Sequence, residues 1–201
     1  MHVAIPLYPG FTALDAVGPY TVLAFAPGVT VTFVAGEAGP VTDDRGTLTL
    51  TATAGYADLP RPDVVVVPGG VGTFAALEDR ALVDWIRTAH EHARWTTSVC
   101  SGSLLLGAAG LLGGLKATTH WAVLDHLSRY GAEPVSERVV TQGRIVTAAG
   151  VSAGIDMALA LLAAASDEET ARAVQLVIEY DPEPPFPMDR GLAERAIGLL
   201  V

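Results

Sequence analysis

The stretch "SVCSGS" at residues 98–103 holds Cys100, the one cysteine of the chain, between small residues. A β-rich run, "WTTSVC", leads into it and a helical run follows. Small-x-Cys-x-small at a strand-to-helix junction is the residue pattern of a nucleophile elbow, where a sharp turn lets only small side chains flank the exposed nucleophile. The turn also places the sulfur near a helix N-terminus beginning at Ser101, where free N–H groups favour a thiolate. Magnitudes limit that effect. A free cysteine, with a pKa of about 8.5, is a few per cent thiolate at pH 7, and full ionisation needs a drop of about three units, or about 4 kcal/mol. A helix terminus supplies less than about 1 kcal/mol at exposed sites, so a second partner is required. The competing reading is a buried small hydrophobe, since free cysteines are commonly buried.

The elements that must position Cys100 alternate. "HVAIPLY", a helical stretch to about Phe25, "VTVTFVA", a turn-rich segment, "DVVVVPGG", a helix through "ALVDWIRTAHEHA", "WTTSVC" and a further helix predict an α/β fold with a mainly parallel sheet covered on both faces. "DVVVV" is apolar without alternation and belongs mid-sheet. Residues 36–62, rich in Gly, Thr and Pro, read as a small antiparallel insertion. "RVVTQGRIVTAAG" reads as two short strands joined at "TQGR", followed by helices over "SAGIDMALALLAAA" and "DEETARAVQLVIEY". The tail "DPEPPFPMD" is expected to run extended over the surface or a partner subunit. "LLLGAAGLLGGL" indicates tight helix packing on the sheet.

Composition bounds the rest. The 201 residues suffice for one domain spanning 1–201, and a content of 50% hydrophobic and 17% charged residues excludes disorder. Twelve Lys and Arg against 22 Asp and Glu leave a net charge of −10, which argues against nucleic-acid binding. No apolar run reaches the roughly 20 residues of a membrane span, and "MHVAIPLYPG" lacks a basic n-region, so no membrane association or secretion is expected. A lone thiol suits a reducing compartment, and the cytoplasm is the expected location.

With these blocks in view, "VVVPGGVGTFAAL", "TSVCSGSLLLGAAGLLGGLKATTHWA", "RVVTQGRIVTAAGVSAGIDMALAL" and "VQLVIEYDPEPPF" resemble, in order and over almost the full length, the ThiJ/PfpI superfamily. "LDAVGPYTVL" at 14–23 and the "PPF" tail make isocyanide hydratase the subgroup the chain most resembles. Amidase-like domains fused to AraC-type regulators share "TTHW" and the "GID" helix. The resemblance implies a flavodoxin-like three-layer sandwich, a homodimer, a small-molecule substrate, and no metal or organic cofactor.

It also supplies the missing partner. The superfamily sets an acidic residue beside its cysteine, and the matching position is Asp15. Read alone, Asp15 is an ordinary helix-start acid. Beside a thiolate its carboxyl is expected to hold a raised pKa and to act as general acid and base. By the same resemblance the amides of Gly70 and Ser101 form an anion hole, with Gly69, Gly70 and Val151 as binding positions and Cys100, Asp15 and Ser101 as the catalytic set. Serine at 101, where protease-like members carry histidine, weakens a peptidase reading. Hydratases carry threonine there, so serine keeps the hydroxyl. "GVGTFA" from Gly70 also matches a dinucleotide fingerprint, but the acid required about 20 positions on is absent, and nicotinamide binding is disfavoured.

The implied activity is cysteine-dependent hydration of isocyanides to N-formyl amines through a thioimidate. The alternatives are a ligand- or redox-sensing domain related to the AraC-type regulators, or another thiol-dependent enzyme such as a glyoxalase. Too few residues follow for a helix-turn-helix region, and Asp15 in place of glutamate disfavours the glyoxalase branch. His90 and His92 point to different helix faces and are expected to be solvated rather than metal-bound. His120 is open between the rim of the pocket and a structural role with Trp121 in the core.

Overall fold

The computed structural model describes residues 1–200. In chain order the strands and α-helices are β1 (His2–Pro6), α1 (Ala13–Ala24), β2 (Thr30–Ala35), β3 (Gly39–Thr42), β4 (Thr49–Ala52), β5 (Ala54–Gly55), β6 (Val64–Val67), α2 (Thr73–Ala76), α3 (Arg80–His92), β7 (Trp95–Val99), α4 (Gly102–Ala108), β8 (Lys116–Ala117), β9 (Glu133–Pro134), β10 (Val139–Gln142), β11 (Ile145–Ala148), α5 (Ala153–Ala165), α6 (Glu168–Val177) and α7 (Ala193–Ile197). A stretch of 3-10 turns covers Trp121–Tyr130.

Seven strands form the central sheet in the order β10-β11-β7-β6-β1-β2-β5. All neighbours pair parallel except β10 with β11. Among β1, β2, β6, β7 and β11, taken as first to fifth, the order is second-first-third-fourth-fifth, the flavodoxin-like arrangement that leaves a crevice at the carboxyl ends of the strands. Four consecutive β-branched valines make β6, and all four are fully buried, because helices cover both faces of a middle strand. On one face α5 packs against α1 and α6; on the other α4 packs against α2 and α3. No helix among the described residues is long and apolar enough to cross a membrane.

Local chemistry explains the helix ends. Asp79 caps α3 by accepting from the amides of Ala81 and Leu82, and Leu82, Val83, Trp85, Ile86 and Ala89 then form one buried stripe. Asp167 caps α6 by accepting from the Thr170 amide at 2.7 Å. Gly107 of α4 lies so close under Tyr130 that a Cβ there would meet the ring at 2.5 Å, the tight packing expected of its Leu/Gly/Ala run.

Two parts differ from the sequence expectation. The 36–62 segment does contain an antiparallel hairpin, β3 with β4, but β5 leaves it to extend the main sheet alongside β2. The "TQGR" turn joins β10 and β11 as expected, with Gly143 at φ 60°, yet β11 is also the fifth parallel strand and lies directly beside β7. Pairing partners so distant in sequence leave no local signature.

Candidate active site

Four loops at the carboxyl ends of the parallel strands converge. β1 leads to Tyr8 and the start of α1, β6 to Gly69 and Gly70, β7 to Cys100, and β11 to Val151. Cys100 sits between β7 and α4 with φ at 57°, left-handed for a residue with a side chain. Its amide donates to the carbonyls of Ala148 (3.1 Å) and Ala149 (2.8 Å), and its own carbonyl accepts from the Thr119 hydroxyl at 2.8 Å. The need for small neighbours is steric. A Cβ on Gly69 would lie 2.5 Å from the Ser101 nitrogen, and one on Gly102 2.3 Å from the Val67 carbonyl.

Asp15, in the first turn of α1, is fully buried. Its Oδ2 accepts from the Gly69 amide at 2.9 Å, while Oδ1 has no hydrogen-bond partner and shares its surroundings with the Cys100 thiol. A buried unpaired carboxylate oxygen is costly and calls for an explanation. Burial pushes the Asp15 carboxyl up to about 7; the Gly69 amide and the thiol pull it down, and the neighbouring Asp44 carboxylate adds a further push upward. Burial also pushes the Cys100 thiol up to about 12, followed by the Asp15 charge, against the amides of Val151 and Ser101, which face the sulfur. Dehydration thus works against a resting thiolate, and the two N–H groups that face the sulfur work for it. The two acids are coupled, since the Asp15 contribution to the thiol disappears once Asp15 is protonated. With one proton between them, it can sit on either the sulfur or the carboxyl.

The other expected positions separate. Gly69 holds Asp15. Val151, at φ 22°, directs its amide to the sulfur, as does Ser101. Gly70 does approach closely, a Cβ there meeting the Gly10 carbonyl at 2.4 Å, but its amide donates to Ser101 Oγ at 2.9 Å. An anion hole built from a free Gly70 amide is thus not what the structure holds; the amides facing the sulfur come from Ser101 and Val151.

Ser101 Oγ continues into a chain of hydroxyls that sequence reading missed. It contacts Thr73 Oγ1 at 2.8 Å, Thr73 contacts Tyr8 Oη at 2.9 Å, and Tyr8 donates to the Pro68 carbonyl at 2.8 Å. Tyr8 has one proton and gives it to Pro68, so Thr73 donates to Tyr8 and Ser101 to Thr73, with the Gly70 carbonyl, at 3.2 Å, the longer alternative. Thr73 is fully buried and Tyr8 nearly so. Tyr8→Phe removes the acceptor of a buried hydroxyl and is expected to cost about 1–2 kcal/mol of folding stability by urea denaturation. A change below about 0.5 kcal/mol would show that the chain simply re-forms around Thr73.

The thiol opens on a cavity of about 220 Å³ lined by Thr12, Asp44, Gly70, Val71, Phe74, Cys100, Ser101, His120, Ala122, Val123, Val151 and Leu200. A second cavity, of about 400 Å³, shares only His120 and Val151 with it. His120 is therefore a rim residue of both, its ring resting on Gly150, where a Cβ would lie 2.8 Å from Cδ2. Trp121 is half-buried beneath the Arg190 guanidinium, 5.3 Å from its centroid, and is not core. His90 corrects another expectation: it is half-buried and bonded to Thr96 Oγ1 at 2.8 Å rather than solvated. Asp44 and Thr12 went unread because Asp44 belongs to the turn-rich insertion. The usable signal was that the loop after a first parallel strand, here containing Tyr8, ends at the site.

Comparison with known proteins places the chain among relatives of the same fold. An isonitrile hydratase of Pseudomonas putida is 46% identical over the whole chain and 87% of its own length. A transcriptional regulator of Pseudomonas aeruginosa, CdhR, is 30% identical over 67% of this chain and 40% of its own. Among solved structures, a ThiJ/PfpI family protein from Pseudomonas syringae superposes with TM-score 0.93 at 39% identity, covering 98% of this chain and 85% of that one. DJ-1beta of Drosophila melanogaster superposes with TM-score 0.81 at 21% identity, covering 90% of this chain and 98% of that one, and so shares the fold. The profile of the DJ-1/PfpI family matches residues 1–164, which span the sheet and every loop that meets at Cys100, and the chain belongs to that family.

Proposed function

We propose that the chain hydrates isocyanides to N-formyl amines with Cys100 as nucleophile. The observation that carries this reading is the buried Asp15 oxygen left without a partner beside the thiol, in a site at the carboxyl ends of the strands. The full-length similarity to an isonitrile hydratase names the substrate class.

The turn at Cys100 serves as the nucleophile elbow. Asp15 takes the thiol proton as Sγ attacks the terminal carbon of R–N≡C, forming the S–C bond. The carbanionic carbon takes that proton back from Asp15, leaving a thioimidate, R–N=CH–S. Asp15 then deprotonates a water that adds to this carbon, and the proton passes to nitrogen. The C–S bond breaks with its electron pair returning to sulfur, the hydroxyl proton restores the protonated pair, and R–NH–CHO leaves. Water adds across one carbon with no redox change, and covalent capture divides one hard step into two. The Ser101 and Val151 amides hold sulfur as its charge rises and falls. The Ser101 hydroxyl orders the loop through the Gly70 amide and Thr73.

The same reading includes a cytoplasmic homodimer of a single domain. Leu14, Tyr20 and Phe25 of α1 and its end, 42%, 38% and 57% exposed, support pairing with a second copy. The deciding assay follows formamide appearance from phenyl isocyanide by absorbance, together with intact mass. Turnover with a trapped adduct on Cys100 is the expected result. Neither turnover nor adduct, from protein whose thiol reacts normally with small alkylating agents, would overturn the reading.

A further inference from the structure

Asp44 is the feature of the thiol's cavity that isocyanide hydration does not require. Its side chain is 7% exposed, and its amide donates to the Phe11 carbonyl at 2.9 Å, which fastens the turn after β3 to the end of β1. Oδ2 accepts from Thr12 Oγ1 at 2.5 Å. Oδ1 has only Arg45 Nε at 3.9 Å, beyond hydrogen-bond reach, and Arg45 is half-exposed and donates instead to the Leu199 carbonyl at 3.1 Å. A carboxylate almost stripped of water thus meets the cavity with one neutral donor and an open acceptor. Such a group is best completed by a positive charge or a further donor.

Among the described residues the one cation within 4 Å of the Asp44 carboxylate is Arg45, half-exposed and hydrogen-bonded elsewhere. No lysine or arginine of the described residues lines this cavity, and the rest of the wall is largely apolar, from Val71, Phe74, Val123 and Val151. His120, at the rim, is kept toward its neutral form by burial and by Arg190. Asp15 adds a second carboxyl, and the chain as a whole carries −10. The charged side chains that line the cavity or adjoin the thiol are carboxyls, so a cationic ligand would complete Asp44. Phe74 adds an aromatic ring to the same lining, a group that attracts cations as well.

We propose that Asp44 makes this cavity selective for a cationic substrate, a small isocyanide that carries a protonated amine. The ammonium bonds Oδ1 and lies among Asp44, Thr12 and Phe74 while the isocyano carbon meets Cys100. An isocyanide bearing a carboxylate is rejected by the same carboxylate. This rests on the hydratase reading for the reactive group, and on Asp44 alone for the charge.

The experiment compares 4-(aminomethyl)phenyl isocyanide with the neutral 4-ethylphenyl isocyanide, near-isosteres, on the wild type and Asp44→Asn. The expected wild-type preference in kcat/KM for the ammonium compound is at least about tenfold, carried by KM, and the ratio collapses toward one in Asp44→Asn. A wild-type ratio near one, or a preference that survives in Asp44→Asn, overturns the inference while leaving the hydratase reading intact. If neither isocyanide reacts, the hydratase reading fails, and Asp44 is judged by a second measurement. Cys100 is the only cysteine, so its labelling rates by 2-aminoethyl and by propyl methanethiosulfonate, each scaled to a free small thiol, report the cavity's charge preference directly. A cationic preference that Asp44→Asn reduces at least about fivefold supports Asp44 as the cation's partner, and an unchanged preference refutes it.

Discussion

Asp15→Asn is expected to lower kcat for an aryl isocyanide by about 10²–10⁴-fold and to remove the inflection from the pH profile of kcat/KM. In the proposed mechanism Asp15 and Cys100 share one proton in the competent state, so activity is expected to require that the pair has lost its first proton. With the carboxyl pushed up to about 7 and the thiol to about 12, wild-type kcat/KM should rise as pH increases through about 7 and then stay level toward pH 10. In the asparagine variant the carboxyl that titrates at about 7 is gone, and any residual rate should follow thiol ionisation. An inflection near 7 that persists in Asp15→Asn would assign it to another group and remove Asp15 from the proton path.

The same shift has an opposite consequence for stability. Asp15 ionises at about 3.8 when unfolded and at about 7 when folded, so between these values the folded state holds the proton and the unfolded state does not. Stability contributed by the neutral carboxyl is complete below the unfolded value and is lost as pH rises through about 7. Three units correspond to about 4 kcal/mol. Asp15→Asn should therefore unfold at higher urea than wild type at pH 8 and at nearly the same urea at pH 4. Wild-type stability that increases from pH 5 to 8 at this site would contradict the burial argument. A group that destabilises the fold at working pH is retained for chemistry.

Cys100→Ser is expected to abolish turnover, by at least about 10⁴-fold, and to lose the covalent adduct. Oxygen is the less polarisable nucleophile, and its higher pKa makes proton transfer to Asp15, at about 7, more uphill than transfer from the thiol. The change is nearly isosteric in a tight turn, so thermal unfolding should shift by only a few degrees. Formamide production in the serine variant within about tenfold of wild type would mean that hydration needs no covalent sulfur, and that Asp15 activates water directly.

The sequence by itself determined the architecture and the turn on which the proposed chemistry is centred. "DVVVV", "WTTSVC" and the helices between them carry their state in local periodicity, and a parallel α/β sheet follows because successive strands that are buried on both faces need helical crossovers. Cys100 was legible for the same reason: a tight turn constrains its immediate neighbours, and Ser98, Ser101 and Gly102 are small. Asp15 was legible only through resemblance to a family, since nothing local separates it from a helix-start acid. Tertiary structure alone decided the rest. It turned the Gly70 amide onto Ser101, joined Tyr8 and Thr73 into the hydroxyl chain, and brought Asp44 from an insertion to the wall of the cavity. It also set burial against the ionisation of Cys100 that the helix N-terminus favours, because a helix N-terminus is a local feature, whereas dehydration sums every surface that closes over the sulfur. Those surfaces come from loops after four different strands, and no stretch of sequence near residue 100 records them.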